Sequence, residues 1–287
     1  MSKIEWTDET WNPVTGCTKI SEGCQNCYAE RMATTRLAGR CGYPKDKPFS
    51  ITYHPDRLTK PGEWKKPKKI FVCSMGDLFH DDVDFEYILK IFTAINRYNH
   101  HTFQVLTKRP ERMLQFFRDY GLIPDPVTGF TGSGETIPEN VWIGVTAENQ
   151  YQAVKRIPIL FQIPAAVRFV SVEPMLSTVN LEHLWHTCPH CGSWEIYEPR
   201  NQQMSCDDCG VTIYKPAIGI DWVICGGETG PGARPINHEW VSSLHQQCAN
   251  TETPFFFKKW GAWWPNKAGG NSGSHIDGKL YQEFPEE

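Results

Sequence analysis

Cys17, Cys24 and Cys27 stand in a C-x6-C-x2-C arrangement, and Cys188, Cys191, Cys206 and Cys209 in C-x2-C-x14-C-x2-C. These two groups hold most of the eleven cysteines in the chain. In a reducing compartment, clustered thiols bind metal far more often than they cross-link. Three thiolates on one short loop can hold three irons of a [4Fe-4S] cluster, which leaves the fourth iron free to bind a small molecule. Gly16 and Gly23 let such a loop wrap closely around a cube. Zinc is the alternative, with Cys41 or Cys73 completing four ligands. The second group fills all four tetrahedral positions and each pair is followed by glycine. It reads as a zinc ribbon, a structural Zn2+ stapling a loop too small for its own core, and a candidate contact to nucleic acid. His190 lies between ligands and is not expected to be one.

Further polar residues stand directly after apolar runs. They are Ser74-Met75-Gly76-Asp77, Thr107-Lys108-Arg109, Glu148, Glu173 and Glu228. Asp77, His80, Asp81 and Asp82 form an acidic group that a metal-dependent nuclease or hydrolase would use, or that caps the helix after it. Arg57, Lys60, Lys65, Lys66, Lys68 and Lys69, with Trp64 among them, form a basic run that either tracks phosphates or is a solvated loop. Trp263 and Trp264 are candidates for stacking on a base. Cys225, inside an apolar run, is expected to be packing rather than a hydrogen donor.

The elements that must carry these groups follow from the apolar runs. Six strands are predicted, at 69–74, 102–107, 141–146, 167–172, 221–226 and 254–258. Most are nearly continuous apolar stretches, the mark of parallel strands buried on both faces. Helices are predicted from near Tyr28, over 85–95, from Pro110 to Phe117 and over 238–248. This alternation predicts an α/β fold, a full or partial (β/α) TIM-like barrel, whose C-terminal strand ends gather the polar loops into one mouth. Residues 1–186 form the first part of the barrel, 187–215 a zinc-ribbon insertion, and 216–287 the closing part and tail. The stretch 122–139 reads as a surface loop.

The composition fits a globular chain of 287 residues, 40% hydrophobic and 22% charged. Thirty-three acidic residues against 29 basic ones give a net charge of -4 and exclude a globally basic nucleic-acid coat. No apolar run reaches the roughly 18 residues of a bilayer span. The first nine residues lack the apolar core of a signal peptide, so a cytoplasmic protein without membrane contact is expected.

Three clustered cysteines ahead of the first helix of a β/α barrel resemble the radical S-adenosylmethionine (SAM) superfamily. The first gap is six residues here rather than the usual three, and Asn26 stands where an aromatic residue is usual. A closer resemblance, over nearly the whole chain, is to a phage-associated three-cysteine-motif family. It is carried by residues 7–29, 74–79, 106–110, 142–145, 171–176, 226–235 and 256–261. The resemblance implies a cluster on Cys17, Cys24 and Cys27 whose open iron chelates SAM. One electron from an external donor then yields a 5′-deoxyadenosyl radical that abstracts hydrogen from substrate. It implies that Ser74, Met75, Gly76, Asp77, Thr107, Lys108, Glu148, Glu173 and Glu228 hold the cofactor and that Arg109 and Arg234 hold substrate; for each charged residue among them a structural salt bridge across the barrel mouth is the alternative. The substrate class is a nucleoside or a hypermodified base in phage DNA, modified or isomerised, with a partner protein conceivable. A non-enzymatic zinc or iron–sulfur nucleic-acid-binding protein is the competing class.

Overall fold

The computed structural model describes residues 4–123, 136–182, 184, 188, 196–197, 203–206, 208–210, 212–214, 219–262 and 273–286. Seven strands form one all-parallel sheet: β1 (Glu9–Trp11), β2 (Lys69–Val72), β3 (Thr102–Thr107), β4 (Val141–Thr146), β5 (Val167–Val172), β6 (Trp222–Cys225) and β7 (Phe255–Phe257). Their order across the sheet is their order in the chain. Each strand pairs in parallel with the next, and β1 and β7 are the edges. This is the architecture of a partial β/α barrel, open between its two edges.

All six predicted strands are present. The sequence reading missed β1, which has only three residues, two of them polar. Alternation along each strand separates two apolar layers. Phe103, Val105, Ile143, Val145, Val170 and Val172 join the core shared with the helices. The other face is concave, and the register stacks its side chains in rows. Phe71, Gln104, Trp142 and Val167 make one row, and Leu106, Gly144, Phe169 and Trp222 the next. Thr146, Ser171, Ile224 and Phe256 make the third, nearest the C-terminal ends. Polarity therefore rises toward that end. Trp6, 2% exposed, plugs the concave face, with ring centroids 4.6 Å from Phe71 and 6.1 Å from Trp222. Burying each such aromatic contributes roughly 1.5–3 kcal/mol.

Helix α1 (Tyr28–Met32) packs apart from the main core, with Tyr43 and Met75, while α2 (Phe85–Arg97), α3 (Pro110–Asp119), α4 (Gln150–Phe161) and α5 (His238–Asn250) cover the convex face. In α2, Tyr87, Ile88, Ile91, Phe92, Ala94 and Ile95 recur at helical spacing and are buried. Proline opens α3 at a position that needs no N–H. The sequence reading also missed α4, where Pro158 and a polar first turn blur the periodicity. Asn149 caps α4 by accepting the Gln152 N–H at 3.0 Å.

Between β5 and β6 the described residues form three short antiparallel strands, Ile196–Tyr197, Gln203–Cys206 and Thr212–Tyr214. Cys191, His190, Trp263 and Trp264 lie outside the described residues. Among the described residues, no helix is long and apolar enough to cross a membrane.

Candidate functional site

The segment after β1 carries the first three cysteines. Val14–Thr15 pairs antiparallel with Thr52–Tyr53. His54 Nε2 meets Thr15 Oγ1 at 2.8 Å beneath this ribbon. Gly16 then turns with φ 93°, and a side chain there would overlap the Ser50 carbonyl. The loop from Cys17 to Cys27 passes over the C-terminal ends of the strands and feeds α1. A cavity of about 630 Å³ lies beneath it, within the usual range for small-molecule sites. Cys17, Cys24 and Cys27 all line it, together with the ends of β2 to β6 and the residues after β7. Trp6 is at its floor, and the buried indole N–H has no acceptor among the described residues.

Four tethers hold the cysteine loop, and they use residues expected to bind cofactor or substrate. Asp77 Oδ1 accepts from Thr107 Oγ1 at 2.7 Å and from the Phe79 N–H at 3.0 Å. Its Oδ2 accepts from the Lys108 N–H at 3.1 Å and Arg109 Nη1 at 3.2 Å. Arg109 reaches on to Cys17 Sγ at 3.5 Å and to the Thr18 carbonyl at 3.1 Å. Glu148, fully buried, binds Arg156 at 2.8 Å and accepts the Gly23 N–H at 3.2 Å. Glu228 accepts from Asn26 at 3.0 Å and from Arg234 at 2.6 Å. Arg234 in turn donates to the Glu22 carbonyl at 2.9 Å.

The expected binding residues therefore divide. Ser74, Gly76, Asp77, Thr107, Lys108, Arg109, Glu173 and Glu228 line the cavity with the cysteines; Met75, Glu148 and Arg234 do not. Met75 packs in a small cluster with Ala29, Ala33 and Tyr43. Glu173 is paired with Lys258 at 2.6 Å inside the cavity. Sequence reasoning passed over Arg31, Arg36, Lys258 and Lys259, which also line it. The helical spacing of Tyr28, Arg31, Met32, Thr35 and Arg36 was the available signal.

Cys17 and Cys24 sit in unlike fields. Burial, with Asp77 nearby, pushes the Cys17 thiol up to about 11. Burial also acts to raise Cys24, but Lys108 and neighbouring hydrogen bonds outweigh it and hold the thiol below its usual value. The three sulfurs do not all lie within 4.8 Å of one another. A tetrahedral zinc thiolate, with Zn–S near 2.3 Å, keeps its sulfurs about 3.8 Å apart. Cys41 is exposed, and Cys73 is buried with its thiol driven up to about 12 by desolvation. The trio is therefore not gathered into the compact set that a single zinc ion takes.

The second group is different. Cys188, Cys206 and Cys209 offer sulfurs all within 4.8 Å of one another and can hold a metal ion. Cys188 and Cys209 are 3.7 Å apart at sulfur, close to the edge of a zinc thiolate tetrahedron.

The remaining expectations are placed as follows. Asp77 has both oxygens occupied, as above. His80 Nε2 meets Thr18 Oγ1 at 2.8 Å and its Nδ1 accepts the Asp82 N–H at 3.1 Å. Neither nitrogen is left for a hydrolytic cation. Cys225 is fully buried and donates to Met175 Sδ at 3.7 Å. Arg57 donates to the Asn12 and Cys41 carbonyls, and the lysines from Lys60 to Lys69 run up to the N-terminal end of β2; none of these residues lines the cavity. Lys60 and Lys68 pair with Glu63 and Glu9, and the Lys69 ammonium lies 5.3 Å from the Phe284 ring centroid.

The family model "Protein of unknown function (DUF5131)" matches residues 1–285, and the chain belongs to that family. No curated protein and no solved structure matches it.

Proposed function

For this member of a family without an assigned activity, we propose an iron–sulfur enzyme of the radical SAM type, with a [4Fe-4S] cluster on Cys17, Cys24 and Cys27. The observation that carries the proposal is the placement of three unlinked thiols, not gathered at a single-ion position, on a single loop over a cavity at the C-terminal end of a parallel partial barrel. When bound, the cluster and SAM supply one-electron chemistry. The chain's own residues bind, orient and enclose. Arg109 fixes Cys17 through a buried pair with Asp77. Glu148 holds the backbone N–H of Gly23 and Glu228 the side-chain amide of Asn26, on either side of Cys24. The Lys108 charge draws the Cys24 thiol below its usual value against the effect of burial, which favours the thiolate that metal ligation needs. The Glu173–Lys258 pair offers an acceptor and a donor inside the cavity for the amino and carboxylate groups of an amino-acid moiety. In the same reading Cys188, Cys191, Cys206 and Cys209 hold a structural Zn2+.

Anaerobic reconstitution tests this. About four irons and four sulfides per chain beyond the zinc are expected, with 5′-deoxyadenosine released on reduction with SAM. Replacing Cys24 by alanine abolishes both. Zinc alone, bound at both cysteine groups, overturns the proposal.

A further inference from the structure

The charges lining the cavity do not balance. Four carboxylates face it: Glu5, Asp77, Glu173 and Glu228. Each already has a cation, namely Lys259 at 3.5 Å, Arg109 at 3.2 Å, Lys258 at 2.6 Å and Arg234 at 2.6 Å. Three lining cations remain: Arg31, Arg36 and Lys108. Lys108 lies close enough to Cys24 and to the buried Glu148 for its charge to act on both. Among the described residues, neither the Arg31 nor the Arg36 guanidinium has a hydrogen bond or an ion pair.

Arg31 is half-buried, and its guanidinium lies against Gly230, where a Cβ would overlap it. Gly230 has φ 96°, so a glycine there both makes the turn and clears space for the fork. A partly desolvated guanidinium without an acceptor is costly unless a ligand supplies one. After α1 the helix widens over Ala33–Leu37 into a π-helical turn. Bonds closing from i to i+5 stack residues five apart, and Arg31 and Arg36 both reach the cavity. Two planar forks on one wall match a tetrahedral oxyanion better than two ammonium groups would.

We propose that Arg31 and Arg36 form the binding subsite for a phosphate group of the substrate, at the wall of the cavity between α1 and the Gly230 turn. The proposal rests on the preceding reading in taking this cavity as the place of reaction. The phosphate belongs either to a free nucleoside monophosphate or to the backbone of a single-stranded nucleic acid, and the same forks serve both. Arg109 and Arg234, which the sequence reading assigned to substrate, are committed to Asp77 and Glu228.

The test uses the anaerobically prepared whole chain, titrated calorimetrically with a deoxynucleoside, its 5′-monophosphate and a short single-stranded oligodeoxynucleotide. Binding of the monophosphate identifies a free ester, and binding of the oligonucleotide alone identifies a backbone diester. In either case the nucleoside binds at least tenfold more weakly. Arg31→Gln weakens the phosphate-bearing ligand about tenfold or more, the loss of one charge-assisted contact. Arg31→Lys recovers part of it, and each removed arginine lowers the slope of log affinity against log salt by about one. Arg36→Gln, an exposed position, gives a second variant whose folding is not at risk. Arg40→Gln, outside the cavity, leaves binding unchanged. Equal affinity for nucleoside and nucleotide, or unchanged affinity in Arg31→Gln and Arg36→Gln together, overturns the subsite. Phosphate binding needs no cluster: its persistence in protein that retains no iron would separate a failure of the iron–sulfur reading from a failure of this one.

Discussion

A lysine beside a thiol and a carboxylate beside an arginine do different work at this site. Lys108 acts on Cys24 through its field: a cation nearby favours the thiolate. In metal-free protein, Lys108→Met is therefore expected to raise the pH at which Cys24 reacts with iodoacetamide, read at the level of the Cys24 peptide by mass spectrometry. An unchanged pH profile would show that the local hydrogen bonds alone hold the thiol down. Glu148 acts through geometry. It is buried with Arg156, and replacing it by glutamine strands a buried guanidinium. Breaking such a pair costs about 3–5 kcal/mol. Urea unfolding of Glu148→Gln is expected to show a loss of that size, together with weaker iron retention, because the one remaining acceptor oxygen cannot serve both Arg156 and the Gly23 N–H.

At the scale of elements, the cysteine loop depends on the short ribbon below it. Burial, reinforced by the Arg57 charge, holds His54 down at about 4. The unfolded chain takes up the proton near 6.5. The stabilisation is thus fully present above pH 6.5 and is lost as pH falls from there toward about 4, by up to ~1.4 kcal/mol per unit. The protection factors of the Gly16 and Cys17 amides, the intrinsic exchange rate over the observed rate at each pH, are expected to fall over that window in wild type and much less in His54→Gln. The concave face has its own constraint. A Cβ at Gly144 would sit 2.6 Å from the Phe169 ring, between two strands that cannot move apart. Gly144→Ala is expected to destabilise by about 1–3 kcal/mol, the usual cost of overpacking, measured by thermal melting.

At the scale of the whole molecule, two thiol groups with unlike geometry predict separable metal chemistry. The compact set at Cys188, Cys206 and Cys209 is expected to release one zinc per chain to a mercurial reagent, without loss of the far-ultraviolet signal of the barrel. The spread set should lose its visible absorbance in air while zinc stays bound. Simultaneous loss of both, with global unfolding, would mean that the insertion is integral to the barrel core.

Pattern and spacing carried a great deal. The β2 to β7 runs were visible because strands buried on both faces must be apolar throughout, and helices α2, α3 and α5 because one face of each is. The two cysteine groups were visible because close spacing of thiols along the chain is the pattern that metal ligation uses. Strand β1 and helix α4 were not, since three residues or a proline-bearing turn leave too short a period to detect. Residue types could not say which polar groups were spoken for. For Asp77, Glu148, Glu228, Arg109 and Arg234 the sequence left ligand binding and a salt bridge equally open, and only the fold showed Arg109 with Asp77, Arg156 with Glu148 and Arg234 with Glu228. The same pairing left Arg31 and Arg36 over, because a charge is free or satisfied by what lies within a few ångströms of it, and that distance is set by the folding of segments far apart in the chain.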